Sequence, residues 1–147
     1  MAIELNGAPE AVVGPIRDAL LAAAKGQPNA FGAKQTFGRG VSLTGLALTD
    51  AANIQWDLAL GGFAAVTLAG NRTLELLNLA PGVHRLRVTQ GVGGNHTLAF
   101  AAGVTVRTPG GTAITLSTAA GAVDWLTILH VGGTTIDVIT EPGFQAI

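Results

Sequence analysis

Three histidines and a scatter of carboxylates are the residues of this sequence best suited to chemistry. His84, His96 and His130 could ligate a metal if the fold gathered them. Asp50, Asp57, Glu75, Asp124, Asp137 and Glu141 could act as general acid and base. The spacing favours a plainer reading. His84 and His130 sit inside strand-like runs and His96 follows a turn, while no carboxylates form the cluster of a calcium loop or the pair of a glycosidase motif. Gly91-Val92-Gly93-Gly94 is glycine-rich, but no helix and no Lys-Ser/Thr follows it, so it reads as a turn between strands rather than a phosphate cradle. Asn71-Arg72-Thr73 and Asn95-His96-Thr97 match the glycosylation triplet, which matters only in a secreted chain. Trp56 and Trp125 could stack on a sugar, in competition with a reading of both as buried anchors. The expectation is a non-enzymatic chain with no catalytic residue, no metal ligand and no cofactor.

Composition narrows the partners. The 147 residues fit one domain with a short appended arm. Charged residues make up 12% of the chain, about half the usual share, against 48% hydrophobic, so much of the surface must be apolar or neutral. Polar residues, Gly or Pro break every apolar run before the ~20 residues of a spanning helix, and no membrane partner is expected. The excess reads instead as subunit interface. A net charge of −1 leaves no basic stripe, so no nucleic-acid partner is expected. There is no cysteine, which removes disulfides and thiolate metal sites. Met1-Ala2-Ile3-Glu4 lacks the start of a signal peptide, and synthesis in a cytoplasm is expected.

The elements follow from periodicity. Residues 1–40 read as an N-terminal helix and extended arm: Val12, Val13, Ile16, Ala19, Leu20 and Ala23 recur at helical spacing, and Gly26 supplies a stop. Val12, Val13, Ile16 and Leu20 are the expected attachment face. Residues 41–147 read as a mainly β domain, an antiparallel β-sandwich or a barrel-like fold. Residues 63–69 and 72–76, joined by Gly70-Asn71, have the signature of a two-residue hairpin. Residues 83–90 alternate, with Leu86 and Val88 on one side and Arg85, Arg87 and Thr89 on a side expected to meet water. A last hairpin, 123–131 and 134–140 around Gly132-Gly133, is apolar on both faces. Gly-Asn-x-Thr-Leu occurs twice, from Gly70 and from Gly94, 24 residues apart, which suggests related hairpins in a meander.

The order of these segments also carries a resemblance. Ala51-Ala52-Asn53-Ile54-Gln55-Trp56-Asp57-Leu58-Ala59-Leu60-Gly61, then Val66-Thr67-Leu68-Ala69-Gly70-Asn71-Arg72-Thr73-Leu74, resembles a block that recurs in small structural proteins and fibre-like modules of tailed bacteriophages. The likeness continues through Leu86-Arg87-Val88-Thr89-Gln90, Thr97-Leu98-Ala99-Phe100, Pro109-Gly110-Gly111-Thr112 and residues 116–124, covering about residues 34–131. The chain departs from that pattern at Trp125-Leu126-Thr127-Ile128-Leu129 and Val131-Gly132-Gly133, where the family has Leu-x-Phe, an Asp-Gly turn and an aromatic-containing final strand. The resemblance implies β-sandwich or barrel-like domains, often trimeric, that decorate or extend from heads and tails, with no catalytic residues to carry over. The resulting expectation is a virion protein, a capsid decoration or head-fibre component that forms a homo-oligomer, with a trimer favoured, and meets phage capsid or tail proteins through its N-terminal arm. The alternative is a tail-fibre or receptor-binding module that holds host glycan through Trp56 or Trp125.

Overall fold

In the computed structural model, residues 45–144 are described. The expected helix and arm of residues 1–40, with Val12, Val13, Ile16 and Leu20, lie outside the described residues.

Among the described residues, short runs, most of them separated by glycine-containing turns, form nine strands: β1 (Leu46–Ala47), β2 (Asn53–Asp57), β3 (Phe63–Leu68), β4 (Arg72–Leu77), β5 (Gly82–Gln90), β6 (Leu98–Phe100), β7 (Thr105–Arg107), β8 (Val123–His130) and β9 (Thr135–Phe144). They make a six-stranded sheet in the order β1-β3-β5-β8-β9-β7 and a three-stranded sheet in the order β2-β4-β6. The mainly β expectation holds, and the fully antiparallel one does not. β1, β3 and β5 run parallel, as do β2, β4 and β6, and β7 is parallel to β9; only β5-β8-β9 is antiparallel.

From β1 to β6 the chain alternates between the sheets, so each strand of one sheet is the crossover that lets its neighbours in the other pair in parallel. Leu46 therefore lies beside Ala64 and Phe63 beside Arg85 in the large sheet, while Asn53 lies beside Thr73 and Arg72 beside Leu98 in the small one. The expected hairpin through Gly70-Asn71 is corrected by this arrangement. β3 and β4 do not pair; Gly70-Asn71 turns the chain from one sheet to the other. Ala64, Val66 and Leu68 point inward together with Leu74, rather than Ala65 and Thr67 sharing its face. The repeated Gly-Asn-x-Thr-Leu marks equivalent corners of this coil, each leading from the large sheet into the small one. Asn71 ties the two together, its Oδ1 accepting the Thr97 amide at 3.0 Å.

The last hairpin forms as expected from β8 and β9, and carries a bulge between Val123 and Trp125. One core fills the space between the sheets, built from Ile54, Trp56, Leu74 and Leu98 on one side and Val66, Leu68, Leu86, Val88, Leu126, Ile128, Ile136 and Val138 on the other. Each of these side chains contributes about 1.5–3 kcal/mol when fully buried. The small sheet is three strands narrower, and Leu116 joins the core from the irregular segment before β8, with Val104 and Ile114 packed beside it.

Two glycines allow the corner after β5. The Gly91 amide donates to the Leu68 carbonyl at 2.8 Å, and a Cβ on Gly91 would lie 2.3 Å from that same oxygen. Gly94 has φ +60° and would put a Cβ 2.2 Å from the Thr118 carbonyl.

Candidate functional site

The six carboxylates of the described residues are each engaged in holding the fold. Asp50 accepts two bonds from Arg72, from Nε at 2.8 Å and Nη2 at 2.6 Å, and Asp137 accepts two from Arg107, at 2.6 and 2.8 Å. The Arg72 guanidinium holds the Asp50 carboxyl below its ordinary value, and the Arg107 guanidinium does the same for Asp137; each arginine is raised in return. Glu75 accepts from Gln55 and Asn53, which lowers its carboxyl as well. Asp57 fastens a turn, accepting the Ala59 amide and the Asn78 side chain. Asp124 is fully buried and accepts the Ser117 amide at 2.8 Å, the Ser117 hydroxyl at 2.6 Å and the Gly143 amide at 2.9 Å. Glu141 pairs with Arg85.

The histidines are likewise separate. His84 and His130 are buried, each with Nε2 donating to a turn carbonyl, Ala80 at 3.1 Å and Gly133 at 3.0 Å. His96 Nε2 lies 3.2 Å from the Val92 carbonyl, and its main chain is held by Gln90. Among the described residues no three His, Cys, Asp or Glu side chains gather to hold a metal. No helix among them is long and apolar enough to cross a membrane.

The two tryptophans have different fates. Trp56 is 0% exposed, packs edge-on to His84 with ring centroids 6.2 Å apart, and donates its indole N–H to the Gly61 carbonyl at 3.0 Å. That burial corrects its reading as a sugar contact, because neither ring face reaches the surface. Trp125 is half-buried on the outer face of the large sheet, and Arg85 lies over its ring, 5.0 Å from the centroid.

Among the described residues, that outer face carries more large apolar side chains than the outer face of the small sheet. Its residues follow from register: Phe63 lies beside Arg85, Arg85 opposite Thr127 and Thr127 opposite Ile139; Arg87 lies opposite Trp125 and Trp125 opposite Glu141; Val83 lies opposite Leu129 and Leu129 opposite Asp137. Val83 is 60% exposed, Phe144 50% and Ile139 39%, while Phe63, Trp125 and Leu129 are half-buried. The arginine side of β5, expected to meet water, thus shares its face with an aromatic and aliphatic patch. The outer face of the small sheet is different in kind, with Asn53 and Gln55 both donating to Glu75 and Asp57 accepting from Asn78. Sequence reasoning identified the two-sided apolar hairpin but not the Arg85–Trp125–Glu141 cluster on it; the signal was the alternation of Arg85 and Arg87 against that of Val123, Trp125 and Thr127.

Comparison of the chain with protein-family models, curated proteins and solved structures gives no match.

Proposed function

We propose that this chain is a non-enzymatic structural protein of a tailed-bacteriophage virion, a capsid decoration or head-fibre component that works as a homo-oligomer. The observation that supports this reading is the six-stranded sheet, whose two sides both carry apolar side chains although each copy has only one core to fill. The resemblance of residues 34–131 to phage structural modules supplies the particle, and a trimer is the assembly that resemblance favours. Attachment to capsid or tail proteins is assigned to residues 1–40. On this reading the carboxylates serve the fold, each tied to an arginine, an amide or a hydroxyl.

The test is to raise antibodies to residues 45–144 and label intact particles released by cells that carry the gene. Labelling of heads is expected. Particles free of the chain would overturn the reading, and labelling confined to tail tips would move it to the tail-fibre alternative. For that alternative the glycan contact would have to involve Trp125, since Trp56 is enclosed.

A further inference from the structure

Resting on the oligomer reading above, we infer that the outer face of the six-stranded sheet is the subunit interface, and that its occupant is a second copy of this chain. Three observations point to this face and this partner.

The first is the contrast between the two broad surfaces. The outer face of the small sheet satisfies its polar side chains internally, with Asn53 and Gln55 both donating to Glu75 and Asn78 donating to Asp57. The outer face of the large sheet carries Phe63, Val83, Trp125, Leu129, Ile139 and Phe144. The inner face of this sheet is covered by the core, while these apolar side chains on its outer face have no cover among the described residues.

The second is charge. Arg85, Arg87 and Arg107 are interspersed with Asp137 and Glu141, three positive against two negative, so the face is nearly neutral. A strongly acidic or basic partner would find no complementary field, whereas two copies meet without repulsion. Arg85–Glu141 and Arg107–Asp137 are paired within one copy, and Arg87 has no partner among the described residues. A facing copy would offer its Asp137 and Glu141 to Arg87; a face that meets itself makes a two-fold contact, so on this inference the assembly is a pair and not the trimer that the resemblance favours.

The third is area. β3, β5, β8 and β9, of six to ten residues, form the body of the face. At ~4.8 Å between strands and ~3.3 Å per residue this is about 500 Å² per copy. The pair then buries about 1,000 Å², at the lower end of what a specific interface needs.

Sedimentation of the full chain from about 1 to 100 µM tests this. The mass is expected to rise with concentration, Ile139→Lys and Val83→Glu each to weaken association at least tenfold, and Ala99→Lys on the opposite face to leave it unchanged. Acrylamide quenching reports the same event, because Trp56 is a constant enclosed background and Trp125 should become shielded in step with association. Thermal unfolding of each variant separates loss of the contact from loss of the fold. A chain that stays monomeric, or association that survives both outer-face variants, would overturn the inference. So would shielding of Trp125 that does not depend on concentration, the result expected if residues 1–40 of the same copy covered the face. Association that survives both outer-face variants would sink this inference and leave the oligomer reading; a monomeric chain that still labels particles would sink both and leave the virion reading; a chain associating through this face but absent from particles would sink the virion reading alone.

Discussion

The Gln90 side chain and the His96 main chain exchange two hydrogen bonds, Nε2 donating to the His96 carbonyl at 2.9 Å and the His96 amide donating to Oε1 at 3.0 Å. A single amide side chain thereby does for the loop after β5 what a neighbouring strand would do. Gln90 is 2% exposed, so its removal leaves main-chain groups without a partner as well as a gap. Gln90→Ala is expected to lower stability by about 2–3 kcal/mol, read as the urea midpoint of unfolding.

Asp124 joins the segment before β8 to the end of β9 by accepting from Ser117 and Gly143. Asp124→Ala should cost about 3 kcal/mol, the loss of three accepted hydrogen bonds at a fully buried position. Hydrogen exchange at the Gly143 amide should accelerate more than at Ile136, which marks a local latch rather than a general weakening. Asp124→Asn, which keeps an acceptor oxygen, should cost less.

Close approach and backbone handedness can be separated at the corner after β5. Gly91→Ala must push a Cβ against the fixed Leu68 carbonyl and is expected to cost more than about 2 kcal/mol. Gly93 has φ +92° but nothing within 4 Å of its Cβ position, so Gly93→Ala should cost only the strain of the conformation, about 1 kcal/mol. Thermal unfolding of the two variants should rank them in that order.

Asp50, Glu75 and Asp137 all have carboxyls held below their ordinary values, by Arg72, by Gln55 with Asn53, and by Arg107. A depressed carboxyl binds its proton more readily in the unfolded chain, so its stabilisation is present above about pH 4 and is lost as pH falls through the lowered folded value. Stability is therefore expected to fall as the pH drops below about 4. Arg72→Gln and Arg107→Gln should each flatten that fall by removing its cause, measured as urea midpoints across pH 2–5.

Much of this fold could be read locally. Residues 83–90 and 123–140 gave strands, faces and the final hairpin, because alternation and a Gly-Gly turn are properties of neighbouring residues. The path between sheets could not be read that way. Gly70-Asn71 has the same local signature whether the chain folds back on its own strand or turns a corner; the choice was made by β5 and β6, which pair with β3 and β4 from 22 and 26 residues further along. The same limit hid the difference between the tryptophans. Trp56 and Trp125 sit in similar alternating runs, and only the placing of Gly61 and His84 around one, and Arg85 and Glu141 around the other, separates an enclosed ring from a surface one.

Among the described residues, the outermost strands of both sheets are short. β1 has two residues, β6 and β7 three and β2 five, with the carboxylate-bound Arg107 on β7 and Asp57 at the end of β2. So short and charged a border gives an approaching chain little to zip onto. Runaway growth of the ladder into fibrils is thereby discouraged even in a sequence this rich in apolar strands, and under the proposal above copies would meet through the flat face of a sheet rather than through its border.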